Sequence, residues 1–202
     1  MSVFADLGGG KFGAIYADPP WHFEVWSGRA SRTPGGYQSR AVERHYDTMG
    51  RDELTALPVP DLAADDCVLF MWTCWPVLAQ SMDLLGAWGF KYKTCAFAWM
   101  KAHARQMEMF RDDADPFCGL GYWTRANSEV CLLATRGKPK RQNADVLQGI
   151  IEPRREHSRK PDCVYGRIER LVPGPYLELF ARNTRPGWAS WGNQVGKFAE
   201  VS

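Results

Sequence analysis

At 202 residues, 45% hydrophobic and 24% charged, the chain has globular composition and enough length to bury one core of ordinary size without disulfide or metal staples. No window approaches the ~18 uninterrupted apolar residues of a membrane span, and "MSVFADLGGGKFG" has no basic stretch leading into an apolar one, so no secretory signal is expected and a cytoplasmic location follows. A formal net charge of +2 is too small to announce a nucleic-acid partner by itself.

The first apolar run, "FGAIYAD" (12–18), reads as a strand that ends on a carboxylate, and two prolines and a tryptophan follow at once. Proline lacks an N–H, fixes its own φ and pushes the residue before it into extended conformation, so Asp18 is held rigid where the strand stops. A long segment of roughly 24–48 comes next, and a second covers roughly 101–125. Loops of that length are unusual in a compact domain and are candidates for lids or substrate-reading arms. Further strands are expected at "CVLFMWT" (67–73), "YKTCAFAWM" (92–100), "SEVCLLAT" (128–135), "YLELFAR" (176–182) and "WASWGN" (188–193). Between the first two of these, Val77, Leu78, Met82 and Leu85 share helical spacing, with Gly86 as the expected stop. A second helix carries Val164, Ile168 and Leu171 and ends at Pro173-Gly174. Alternating strands and helices predict an α/β sheet within one domain, 1–202, and continuous apolar strand runs predict cover on both faces. Ligands in such sheets bind at the carboxyl ends of strands, which is where Asp18 falls.

The six cysteines (67, 74, 95, 118, 131 and 163) form no CxxC pair and mostly sit in apolar runs, so they read as reduced core residues. The four histidines do not pair at ligand intervals, and no metal site is expected. Between Arg136 and Lys160 there are eight basic residues (Arg136, Lys138, Lys140, Arg141, Arg154, Arg155, Arg159, Lys160) against three acidic ones (Asp145, Glu152, Glu156). A solvated loop and a phosphate-facing patch are both open readings of that stretch.

An exocyclic amine on a planar base is a poor nucleophile because its lone pair is delocalised into the ring. Two acceptors on its N–H bonds would localise that pair toward an electrophile. The Asp18 carboxylate and the Pro19 carbonyl are suited to supply them, and Trp21 or another aromatic to stack on the base. The competing reading is an Asp-Pro-Pro turn with Trp21 in the core, and the tetrapeptide alone leaves both open.

Downstream come "HSRKPD" (157–162), "LELFAR" (177–182) and "GWASWGNQ" (187–194). DPPW followed by these pieces in this order resembles the N6-adenine methyltransferases, the family that includes the catalytic subunit of the eukaryotic messenger-RNA adenosine methyltransferase and many bacterial and phage proteins. The resemblance runs from about Phe12 to Lys197. It implies a Rossmann-like methyltransferase fold in permuted order, catalytic strand before cofactor strand, with S-adenosylmethionine as methyl donor. Carried over by position, Asp18, Pro19, Pro20 and Trp21 match the catalytic motif, and Lys160 matches the lysine that meets the cofactor's carboxylate. Phe180 and Arg182 fall at the end of the cofactor strand, and Asn193 and Gln194 match the residues that bond the ribose hydroxyls. Tyr46 in "HYDTM", Trp72 in "FMWT", and Trp99 and Lys101 in "FAWMK" match the acceptor side, although core packing competes for both tryptophans.

Two departures from the family pattern stand out. An acidic cofactor contact expected upstream of the catalytic strand has only Asp6 as a candidate. The segment "NTRPG" lacks the histidine of the messenger-RNA enzyme. "GGGK" (8–11) is not a phosphate loop, because GxxxxGK[ST] is absent. The expected activity is methylation of adenine N6 in DNA. The same reaction on RNA, or a non-catalytic nucleic-acid-binding partner of an active subunit, are the alternatives, and a homo- or heterodimer is compatible with either.

Overall fold

The computed structural model describes residues 3–21, 48–102, 123–124, 126–153, 159–193 and 195. In chain order these form β1 (Phe12–Ala17), α1 (Arg51–Ala56), β2 (Ala63–Thr73), α2 (Leu78–Ala87), β3 (Lys91–Ala102), β4 (Ser128–Arg136), β5 (Gly149–Pro153), α3 (Cys163–Leu171), β6 (Tyr176–Leu179) and β7 (Trp188–Trp191). The strands join in one sheet ordered β5-β3-β4-β2-β1-β6-β7. β4 alone runs against its neighbours; every other adjacent pair is parallel.

The apolar runs at the centre of the sheet are buried on both faces, as their lack of alternation requires. Cys67 through Thr73 are buried without interruption, as are Ala14 through Ala17. Ile15, Leu69, Met71 and Leu132 face α1 and α2, where Leu54, Leu84, Leu85 and Trp88 complete one core. Tyr16, Phe70, Trp72, Phe97 and Trp99 face α3, where Val164 and Ile168 complete the other. Each fully buried aliphatic side chain here is worth about 1.5–3 kcal/mol over its exposed state.

The expected strands and the two expected helices are all present, with some differences. β2 starts at Ala63, which is buried, and runs through the exposed Asp65 and Asp66 before its continuous buried stretch. α2 passes through Gly86 and ends at Ala87, and the chain turns at Gly89, whose φ is +78°. β5 and α1 escape the periodicity argument. β5 has five residues on the sheet edge, with Ile150 buried and Ile151 exposed, inside a polar stretch. α1 has six residues and is closed by the Glu53 carboxylate accepting the Gly50 N–H at 2.6 Å, a capping box without the usual Ser or Thr. No helix among the described residues is long and apolar enough to cross a membrane.

Candidate active site

β1 and β6 are parallel neighbours, with Ala17 opposite Leu179, so the chain leaves the sheet side by side at Asp18 and Phe180. Beyond Asp18 the backbone is pinned. Trp21 N–H donates to the Pro19 carbonyl at 2.8 Å, Met49 N–H to the Pro20 carbonyl at 2.9 Å, and Trp21 bridges Met49. One lone pair of the Pro19 carbonyl is therefore already engaged. Trp21 is not a stacking surface: it is buried in the α2-side core, and its indole N–H donates to the Trp72 carbonyl at 3.2 Å. Its indole fixes the end of β1 against the end of β2.

Three further charged groups meet beside Asp18. Lys160 Nζ lies 2.9 Å from Asp18 Oδ1 and 3.1 Å from Glu129 Oε2, and Glu129 Oε1 accepts from the Lys101 ammonium. All four side chains are at most 21% exposed. The buried tryptophans support the cations from below, Trp72 with its ring centroid 5.6 Å from Lys160 and Trp99 at 5.2 Å from Lys101. Burial opposes ionisation of Glu129, yet the two ammonium groups together outweigh it and hold the carboxyl at about 2. Burial likewise opposes the charge on Lys160, and its two carboxylate partners reverse this and hold it protonated. For Asp18 burial dominates and raises the carboxyl's proton affinity, while Lys160 works against it. Two ammonium groups balance two carboxylates, so the cluster is electrically neutral only as a set.

A cavity of about 260 Å³ adjoins this cluster and runs along the end of β6, bounded by Asp18, Lys160, Tyr165, Glu178, Phe180 and Arg182 among others. The Tyr165 hydroxyl lies 3.0 Å from both oxygens of Glu178. Burial pushes Glu178 up to about 7. Phe180 sits at φ +61°, a left-handed conformation that a bulky side chain adopts only when its surroundings impose it. Gly192, at the end of β7, passes so close to this turn that a Cβ would stand 2.5 Å from the Ala181 carbonyl oxygen. The glycine of "WGNQ" is required by that approach.

The structure thus brings Asp18, Lys160, Phe180 and Arg182 to one cavity, with Lys101 joined to it through Glu129. Trp72 and Trp99 serve as buried floor. Asn193 is exposed just past β7 and is not among the residues bounding the cavity. Tyr46 and Gln194 lie outside the described residues. Asp6 is exposed on a segment whose Phe4 packs edge-on against Trp191, itself packed on Phe180, which brings that segment to the β6–β7 side of the site. Sequence reasoning missed Glu129, Tyr165 and Glu178. The signal that could have found the two carboxylates is an acid opening or interrupting an otherwise apolar strand, in "SEVCLLAT" and "YLELF".

The basic stretch 136–160 divides between the two ends of the sheet. β4 runs backwards, so Arg136 and Lys138 emerge at the ends of β1 and β2 opposite Asp18, where Lys138 N–H donates to Asp66 Oδ1 at 2.7 Å. Arg159 and Lys160 lie on the cavity. Arg154 and Arg155 lie outside the described residues.

A predominantly parallel sheet covered on both faces, with a proline-locked aspartate at one strand end and a cavity spilling onto the neighbouring one, defines a methyltransferase of Rossmann-like fold in permuted order. The chain belongs to the MT-A70 family, whose match covers residues 12–194. It is 34% identical over 207 residues to a Mycoplasma protein named type II methyltransferase M.MunI, covering 96% of this chain and 82% of that one. It is 32% identical to human N(6)-adenosine-methyltransferase catalytic subunit METTL3 and 33% to a Drosophila melanogaster N(6)-adenosine-methyltransferase MT-A70-like protein. Those matches cover 92% of this chain but only 28% and 27% of the longer proteins.

Proposed function

We propose that the chain, as one methyltransferase domain, moves a methyl group from S-adenosylmethionine to the exocyclic N6 of adenine in DNA. The observation that carries this is the rigid Asp18 beside a cavity whose wall combines cations, carboxylates and the aromatic Phe180. Arg182 and Lys160 suit the cofactor's carboxylate, Glu178 its ammonium group, and Phe180 its apolar face, so the donor set fits a zwitterionic amino-acid end joined to a nucleoside. Asn193 and Gln194 are assigned to the ribose hydroxyls, and Tyr46 to the acceptor base. The cofactor when bound supplies an electrophilic methyl on a sulfonium.

The rest falls to the chain. Lys160 fixes Asp18 through Oδ1, and the second carboxylate oxygen accepts an N–H of the target amine. That bond draws the nitrogen lone pair out of the ring toward the methyl. Methyl transfer to that lone pair would leave the S–C electron pair with the cofactor's sulfur. The surplus amine proton passes to Asp18, whose burial favours taking it.

DNA is favoured over RNA because the relative called a type II methyltransferase is matched over most of its length, whereas those named for adenosine are matched over about a quarter. Radiolabelled methyl transfer to matched DNA and RNA oligonucleotides tests the choice. Label in RNA alone overturns it, and cofactor binding without transfer to either would leave the non-catalytic partner.

The division of the basic stretch carries its own prediction. Replacing Lys138, Lys140 and Arg141 together by alanine leaves the slope of log affinity against log salt unchanged for a short oligonucleotide, because these residues stand at the far end of the sheet. A slope shallower by roughly three, one unit per lost phosphate contact on duplex DNA, would place them on the nucleic acid after all.

A further inference from the structure

Trp75 is 52% exposed, whereas the tryptophans at 21, 72, 88, 99 and 188 are buried. It stands two residues beyond the end of β2, at the same end of the sheet as Asp18, and Pro76 follows it. Its indole N–H donates to Ser128 Oγ at 3.1 Å, which fixes the ring's position and uses its single hydrogen-bonding group. What it still offers is a π-face.

The row beside it continues past Ser128 into two part-exposed apolar side chains. Ser128 pairs with Met100 across β4 and β3, and Met100 with Ile151 across β3 and β5, so the three side chains stand on one face of the sheet. Met100 is 41% and Ile151 58% exposed. The residue after Ser128 is Glu129, whose side chain points to the other face and joins Lys160 and, through it, Asp18. The platform and the catalytic cluster thus lie on opposite faces of the sheet, joined at its top edge by the neighbouring residues Ser128 and Glu129.

Resting on nucleic acid as the acceptor, we propose that Trp75, continued by Met100 and Ile151, is a stacking platform for a nucleobase flanking the target adenine. An enzyme that turns one base toward Asp18 unstacks that base's neighbours, and a fixed aromatic face beside the site recovers stacking for one of them. A ring whose only donor is already satisfied stacks on any base, so the platform adds affinity and register without sequence preference.

The test uses the full chain and oligonucleotides with a single adenine and 2-aminopurine immediately 5′ or 3′ of it. In the wild type one of the two positions is quenched on binding. Trp75→Ala relieves that quench and raises the oligonucleotide KM by about tenfold, with kcat, cofactor affinity and melting temperature unchanged, while Trp75→Phe keeps most of the quench. An unchanged quench and KM in Trp75→Ala overturns the proposal. So does a fall in melting temperature with the quench intact, which would make Trp75 a packing residue, or a change of oligomeric state with the quench intact, which would make this face a contact between chains. The fluorescence needs no turnover, so a wild type that binds without methylating would sink the catalytic reading and still leave the platform tested.

Discussion

Asp18→Ala lowers methyl transfer by ~100-fold or more while leaving the cofactor dissociation constant within a few-fold, since a preorganised acceptor at the reacting atom is worth about 3–4 kcal/mol. Asp18→Asn is expected to be nearly as poor. The amide keeps the shape of the carboxylate, but it presents a single acceptor oxygen, turns a donor toward Lys160, and cannot take the surplus proton. Lys160 keeps Glu129 at 3.1 Å, so the loss of Asp18 does not strand the ammonium and the fold survives. Arg182→Ala shows the opposite split, weakening the cofactor by roughly tenfold with kcat at saturating cofactor little changed, as loss of one charged hydrogen bond implies. Calorimetry with each variant separates the roles. A cofactor loss in Asp18→Ala as large as that in Arg182→Ala would move Asp18 out of the acceptor side and into the cofactor site.

How far the site was legible depended on whether a residue's role left a mark on its neighbours in sequence. Asp18 was legible because two prolines after a buried strand take away the backbone freedom of the residue before them, and a carboxylate held that way at a strand end points to chemistry. Lys160, Phe180 and Arg182 became legible through the ordered motifs, not through spacing. Trp21 shows the limit: an aromatic after a proline-locked turn suits stacking and core filling equally, and its burial with the bond of its N–H to the Trp72 carbonyl decides for the core. Glu129 was invisible because its partners, Lys101 and Lys160, are 28 and 31 positions away, and the antiparallel pairing of β3 with β4 is what places Glu129 opposite Trp99. The basic stretch misleads for the same reason. Adjacent charges in the chain suggest one patch, and a single reversed strand puts them at opposite ends of the sheet.

Glu129→Gln is expected to destabilise the fold by about 2–4 kcal/mol at neutral pH, because it removes the carboxylate that bridges two largely buried ammonium groups, whereas Asp18 contacts Lys160. The pH dependence identifies the cause. Glu129 titrates at about 2 in the folded protein against an ordinary 4.5. A depressed carboxyl contributes stability that is complete above its unfolded value and is lost as pH falls through the folded one. The window therefore runs from about 4.5 down to about 2, and the displacement corresponds to about 3 kcal/mol across it. Urea midpoints taken from pH 7 to pH 3 should fall for the wild type once pH drops below about 4.5, and the Glu129→Gln curve should start lower and run flatter through the same range. Two curves that stay parallel would show that the acid sensitivity belongs to other carboxylates and that Glu129 is not the joint between the lysines. Asp18 is not a substitute source, since burial raises its carboxyl and its titration carries the opposite sign. The cluster's neutrality also limits what catalysis can tolerate. With Glu129 gone, the charge on Lys160 falls to Asp18 to neutralise, the pair tightens, and the carboxylate becomes a weaker acceptor for the amine. Glu129→Gln should consequently lower kcat without raising the oligonucleotide KM.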